Sequence, residues 1–596
     1  MTNHDDHTNS DHDPVSLTPI NPCNLLSTWN ESVQQLRVNA ENSDALLARA
    51  NVQRLIRDLP SALATILDAH TIDQGDPRIL LEMGLIHRAL GDINAAMGCY
   101  QHAAQLAPDW ADVYYHAGDA CYAVGNVAAA VNFLANALQR DADHLLALCN
   151  LRFQYQANCA WRHVEQLTTN ISRVLTQGPH PAVSPFAMLT VDSTPVQQRS
   201  YADDWVRERV DPIVHFYGAT RFAFKRERKD KLRIAYLSAD FSRHATAYLI
   251  AELFELHDRS AFEIYAYSLG PDDASPIRQR IVAACDHFAD ARDESYIDTA
   301  QRIYRDGIDI LVDLKGYTKD SRPQIAALRP APVTVNYLGY PGTMGGEFID
   351  YIITDRYVTP PNQQCHFAEE FVYIPDCYQI NDRHRKAAVT TPSRKELGLP
   401  EDGFVFCCFN HTYKITAGAF ATWMRLLKRV PGSVLWLLAS NPTATENLRR
   451  AAVESGIAAE QLVFAPMCAQ AEHLARYRAA NVFLDTFPVT AHTTASDALW
   501  MGVPIVTRTG TSFVERVAGS LCHAMGLPQL VTEGWQQYED LAYSLATNKA
   551  CYAETRCTLI RNKDTSPLFD STRVTRALED SYRMMWNRWI AGENVD

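Results

Sequence analysis

Residues 481–509 read NVFLDTFPVTAHTTASDALWMGVPIVTRT. An apolar run, NVFLDTF, ends in a polar cluster, TAHTTASD. A helix-forming stretch follows, then a second apolar run, PIVTRT. Strand, loop, helix and strand in that order make a βαβ unit, the building block of a parallel sheet. Open parallel sheets bind ligands at the carboxyl ends of their strands, which is where His492, Thr493 and Thr494 fall. Two readings of this loop stand side by side. Thr494 with Asp497 three residues on fits a capping box. The free amides and hydroxyls of a helix start also make a ready anion site.

The same alternation extends in both directions. From Lys231 onward the runs LRIAYLS, FEIYAYSL, DILVDL and VTVNYLG, and then FVFCCFN, SVLWLLA and QLVFAP, are separated by helix-length segments. They fall into two groups, about 231–380 and 400–550. The polar, basic segment between them, NDRHRKAAVTTPSRKE, reads as a linker between two Rossmann-like halves. Polar clusters follow the strands: SADFSRH ending at His244, KGYTKDSR, LGYPGTMGG, and NHTYK ending at Lys414. Such loops carry function more often than plain connections do. No GxGxxG and no GxxxxGK[ST] occurs, which argues against a dinucleotide dehydrogenase or a P-loop enzyme. D-x-D occurs only at Asp11–Asp13 and Asp141–Asp143, outside the α/β half. A diphosphate bound there without a metal needs a cation and backbone amides, which Lys414 and the helix after His492 can supply.

Upstream, the pattern changes from strands to a repeat of 34 residues. Gly84 matches Gly118, Gly91 matches Gly125, Ala96 matches Ala130 and Ala103 matches Ala137. Ala50, Ala62 and Ala69 sit one period earlier. This is the tetratricopeptide spacing: two clear repeats at 77–110 and 111–144, with a degenerate one before them. The array spans 21–148 and offers a concave face, which serves either to bind partners or as a structural platform. Residues 149–230 read as a helical connector, and 1–20, with His4, His7 and His12 among aspartates, as a disordered tail.

The 596 residues suggest three or four domains at about 100–200 residues each; 47% are hydrophobic and 21% charged, ordinary values for a globular chain. A net charge of -14 argues against a broad nucleic-acid surface. No apolar stretch is long enough to span a bilayer, and the acidic start, MTNHDDHTNSDHDP, is not that of a signal peptide. Fourteen cysteines without CxxC spacing suit a reduced, cytoplasmic protein.

Longer motifs carry a resemblance. SADFSRH, ALRPAPVTVNYLGYPGT, FIDYIITD, FNHTYKI, RVPGSVLWLL, AEHLAR, LDTFPVTAHTTASDALWMGVPIVT and SPLF are similar, in this order, to the O-GlcNAc transferase and SPINDLY family. The resemblance covers the repeats, the connector and nearly all of 231–590. It implies a GT-B fold: a first lobe at 231–385 and a nucleotide-sugar-binding lobe at 386–596 that includes the C-terminal helix. It implies an inverting, metal-independent transfer of a sugar, most often GlcNAc from UDP-GlcNAc, to protein Ser or Thr, with the acceptor recruited by the repeats. The rival reading is the same fold with a different donor, such as GDP-fucose or UDP-glucose. A non-catalytic nucleotide-sugar-binding scaffold, and a homodimer, stay open.

On this resemblance Lys414 neutralises the diphosphate. His492, Thr493 and Thr494 face the phosphates, Asp497 takes the ribose, and His473 packs on the uracil. His244 resembles an active-site histidine that positions the reactants. The loop Gly339–Thr343, with Gly342 and Thr343, lines the sugar site. Three positions depart from the family pattern. Tyr248 stands where a second histidine follows His244, Gln470 where animal enzymes carry a lysine, and His411, at the donor site, replaces a glutamine.

Overall fold

The computed structural model describes residues 24–218 and 222–593; the tail at 1–20 and its histidines lie outside the described residues. The chain divides into two compact units, one ending at His144 and one running from Leu145.

The first unit is made of helical hairpins. Ser43–Leu55 pairs with Leu59–Ile72, Pro77–Ala89 with Ile93–Leu106, and Ala111–Ala123 with Val127–Arg140. Ala62, Ala96 and Ala130, and Ala69, Ala103 and Ala137, are fully buried where the helices meet. Asp58, Asp92 and Asn126 each cap the second helix of a hairpin through a side-chain oxygen. Gly91 and Gly125 take positive φ, 86° and 77°, at the turns. In the degenerate repeat the same turn falls on Arg57, with φ 65°, a conformation that costs a non-glycine residue about 1–2 kcal/mol. The fold thus keeps the hairpin where the sequence lost its glycine.

The second unit holds two parallel sheets. The first is formed by β1 (Leu232–Ser238), β2 (Phe262–Ser268), β3 (His287–Asp290), β4 (Ile310–Asp313), β5 (Val333–Asn336), β6 (Tyr351–Thr354) and β7 (Glu370–Tyr373), in the order β3-β2-β1-β4-β5-β6-β7. The second is formed by β8 (Val405–Cys408), β9 (Val434–Leu438), β10 (Leu462–Ala465), β11 (Val482–Leu484), β12 (Ile505–Arg508) and β13 (Val531–Thr532), in the order β10-β9-β8-β11-β12-β13. Strand order reverses between β1 and β4 in one sheet and between β8 and β11 in the other. Crevices open at such points. β1, β4, β8 and β9 are buried almost throughout, as strands covered by helices on both faces are.

Three boundaries differ from the sequence reading. The helix Leu145–Ala157 belongs to the second unit, so the repeats stop at His144 and not at 148, and the connector is no separate segment. Gln156 Nε2 donates to the carbonyls of Tyr413 and Ile415 at 3.0 and 2.9 Å. Trp161 Nε1 reaches Ile415 O at 3.0 Å. The expected linker at 380–400 begins as packed interior. Gln379, Asn381, Asp382 and Arg385 are buried, and Gln379 donates to Ser496 and Asn381 to Leu568 O. The C-terminal helix Ser571–Ala591 leaves the second lobe and lies on the first. There Glu579 meets His257 at 3.1 Å and Tyr582 meets Tyr236 at 3.1 Å. Apolar residues such as Leu578 and Met585 of that helix complete the first lobe's core.

No helix among the described residues is long and apolar enough to cross a membrane. The described cysteines are free thiols, and Cys407 and Cys408 are core residues of β8.

Candidate active site between the two lobes

The four loops that leave β1, β4, β8 and β11 carry the polar residues of the cleft. After β8, the turn Thr412–Lys414 holds a half-buried lysine. Lys414 Nζ donates to Thr490 O at 3.0 Å. Burial pulls its pKa down to about 8, and Asp485 opposes the shift. The turn itself is clamped from behind by the connector: besides the bonds from Gln156 and Trp161, Thr412 Oγ1 donates to Ala157 O at 2.6 Å.

After β11, Asp485 organises the next loop. Its Oδ1 accepts the amides of Thr486 and Ala491, both at 2.8 Å, and its Oδ2 accepts the Thr507 hydroxyl at 2.7 Å. Burial raises its pKa to about 6. The loop delivers the chain into the helix Thr493–Trp500, capped at His492 with no side chain on its N-terminal amides. Those amides, unsatisfied in any helix, sit beside Lys414: its charge, after burial, holds His492 well below the usual histidine range. His492 Nε2 is buried with no partner among the described residues.

The capping box does not form. Thr494 Oγ1 donates to Asn410 Oδ1, and Asp497, 3% exposed, pairs with Arg385 at 2.7 Å. Burial raises Asp497 to about 6 against the pull of Arg385 and Gln470. The helix begins at Thr493 with His492 as its N-cap, so Thr494 lies inside the first turn and cannot serve as the cap of a box. His473, on the helix Gln470–Arg476, packs edge-on against Phe409 and Tyr477 at 5.5 and 5.3 Å. Burial lowers it to about 4, so its ring is neutral.

From the first lobe comes His244, the N-cap of the helix Ala245–Leu256. Its side chain is 47% exposed, and its Nδ1 lies 3.3 Å from Asp240 Oδ2. Partial desolvation, then the charges of Lys414 and His244, lower the pKa of His411, whose ring stacks on Tyr413. His244, His411 and Lys414 therefore share one space across the two lobes.

Thr343 does not join them. Its hydroxyl donates to Glu369 Oε2 at 2.6 Å and accepts the amides of Gly345 and Ala368. Glu369 is itself buried and also takes the Met344 amide at 2.6 Å. Thr343 is thus an internal anchor of its loop, and its side chain has no capacity left for a sugar. Gly342 is likewise buried, its carbonyl facing Asn336. Asp240, Lys315, Arg385, Asn410 and Asp485 are cleft residues that the sequence reading did not single out. The one available signal was position, since most of them follow a strand within a few residues.

Residues 162–389 and 384–578 match the model of glycosyl transferase family 41, and residues 77–109 match that of the tetratricopeptide repeat. The chain is 36% identical over 457 residues to a probable UDP-N-acetylglucosamine–peptide N-acetylglucosaminyltransferase SEC of Arabidopsis thaliana, covering 74% of this chain and 46% of that protein. It is 30% identical over 497 residues to the UDP-N-acetylglucosamine–peptide N-acetylglucosaminyltransferase of Caenorhabditis elegans, covering 65% and 43%. The chain spans less than half the length of these curated relatives. Among solved structures, a lysine-to-methionine mutant of Thermobaculum terrenum O-GlcNAc transferase aligns with TM-score 0.67 at 27% identity, over 93% of this chain and 99% of that one.

Proposed function

The chain belongs to glycosyl transferase family 41, and from that premise we propose that it transfers N-acetylglucosamine from UDP-N-acetylglucosamine to a serine or threonine hydroxyl of a protein. The acceptor oxygen attacks the anomeric carbon on the face opposite the nucleotide. The bond to the diphosphate breaks, UDP leaves, and the anomeric configuration inverts. The acceptor proton departs with the leaving group or to solvent.

One observation carries the reading. Lys414, with no ion-pair partner among the described residues, lies beside the uncapped amides of Thr493–Trp500, at the point where strand order reverses. A cation and oriented amides at one spot stabilise the charge that develops on a departing diphosphate. Thr493 and Thr494 give that helix start its hydroxyls. The neutral ring of His473 offers a face to the base, and Asp497 an oxygen to the ribose. His244 faces this set from the acceptor side. We assign the neutralising charge to Lys414 and the amides without a metal ion, so turnover should survive EDTA. We assign acceptor recruitment to the repeats, and the cytoplasm as compartment, in keeping with the free thiols.

A second reading, a different donor, draws on Arg385, which occupies the ribose carboxylate, and on Gln470 and His411 at the donor site. Incubation with labelled UDP-GlcNAc, UDP-glucose and GDP-fucose, measuring free nucleotide, separates the two. Release from UDP-GlcNAc alone supports the first reading, and release from another donor alone supports the second. Tight nucleotide binding with no release from any donor would sink both.

A further inference from the structure

β1 and β4 are neighbours in register, Leu237 beside Asp313. The loops that leave them therefore run side by side into the cleft. The β4 loop carries Lys315, only 3% exposed, and the β1 loop carries Asp240, 12% exposed, followed by His244. A buried lysine is uncommon without a task. Lys315 is placed firmly: Asp313 Oδ1 accepts its amide at 2.7 Å and that of Gly316 at 3.2 Å. Its ammonium then lies 2.7 Å from Asp240 Oδ2. That same oxygen is 3.3 Å from His244 Nδ1.

His244 Nδ1 has a second neighbour, the Thr246 amide at 3.2 Å, which needs an acceptor because it heads a helix. One ring nitrogen cannot serve both. Protonated, Nδ1 donates to Asp240 and leaves the Thr246 amide unmet. Unprotonated, it accepts from Thr246 and faces the carboxylate lone pair to lone pair. Asp240 alone would favour the proton on Nδ1, and with it an imidazolium. Lys315 holds the contested oxygen at the shorter distance and neutralises its charge, and the helix start also disfavours a cation.

We infer that Lys315 is a positioning residue that fixes His244 as a neutral imidazole with its proton on Nε2, so that His244 donates a hydrogen bond into the cleft. The inference deepens the glycosyl-transfer reading and rests on it for the identity of the oxygen that accepts the bond. The charged groups that set the balance are Asp240 on the histidine's own loop and Lys315 on the neighbouring loop, and His411 faces the ring across the cleft. The field of Lys315 acts on His244 in the direction required: desolvation lowers the histidine first, Asp240 raises it and Lys315 lowers it.

The test is ¹⁵N-histidine NMR on the full chain, with His244→Gln to assign the signals. In the wild type at pH 7, His244 should show a neutral ring protonated at Nε2. In Lys315→Met its titration should move upward by about one pH unit, and the pH profile of kcat/KM should move with it. Lys315→Arg should restore the wild-type midpoint. A wild-type ring protonated at Nδ1 overturns the inference without any Lys315 variant, so a misfolded Lys315→Met does not shield it. An unchanged titration in a folded Lys315→Met overturns it too. These signals are read without any donor, so they are independent of the nucleotide-release test.

Discussion

On the proposed function, Lys414 is the residue on which the chemistry turns. Replacing it by alanine should lower turnover on the order of 10²-fold or more, because a diphosphate without a cation is a poor leaving group; near wild-type turnover would contradict the assignment. Its pKa of about 8 in the free protein adds a pH prediction. A diphosphate favours the protonated amine. UDP affinity should therefore be full well below pH 8 and fall as pH rises through it, with proton uptake on binding near that pH. Calorimetric titration in buffers of different ionisation enthalpy reads both effects, and Lys414→Met should abolish the pH dependence. Asp497→Ala should raise KM with little change in kcat, since a ribose contact is made equally in ground and transition states. A collapse of kcat at unchanged KM would assign Asp497 elsewhere. That Lys414 and His492–Thr494 come just after strands was legible in the sequence, because each follows an apolar run. The partners of Asp497 and Asp240 were not: Arg385 and Lys315 lie far away in the chain, and nothing local marks an ion pair closed by the fold. Thr343 was misread for the converse reason, since a loop of the right composition turned its hydroxyl inward to Glu369.

At the scale of elements, the connector is where the structure adds most. The helix Leu145–Ala157 holds the Lys414 turn through Gln156, whose amide satisfies two carbonyls. Gln156→Ala leaves both unmet and should cost about 1–3 kcal/mol. It should also lower kcat, because the turn that presents Lys414 loses its brace. Denaturant melts and turnover of the same preparation check this; a variant unchanged in both would remove the connector from the account. The strands were legible where they are long apolar runs, as in β1, β8 and β9. β3, β6, β7 and β13 went unnoticed. β3 is a short edge strand with exposed ends and β13 has two residues, so neither shows a buried run. β6 is as long and as buried as β8, but Asp350 and Asp355 close its apolar run, whereas that of β8 extends from Phe404 to Phe409. The C-terminal helix was placed with the second lobe and packs on the first, because its apolar face says that it packs and not on which lobe.

At the scale of the molecule, the residues assigned to the donor all lie in the compact unit that runs from Leu145. Deleting residues 1–144 should leave UDP binding and slow donor hydrolysis, and should abolish most transfer to protein acceptors. A joint fall of UDP affinity and melting temperature would show instead that the repeats brace the lobes. The central claim is transfer itself. The direct measurement is mass spectrometry of a serine- and threonine-containing protein or peptide library after incubation with the full chain and isotopically labelled UDP-GlcNAc. The account predicts labelled N-acetylhexosamine on hydroxyl side chains, released UDP in equal amount, and loss of both with Lys414→Ala. UDP binding with no labelled acceptor under any condition, or labelling that persists undiminished in Lys414→Ala, would contradict it.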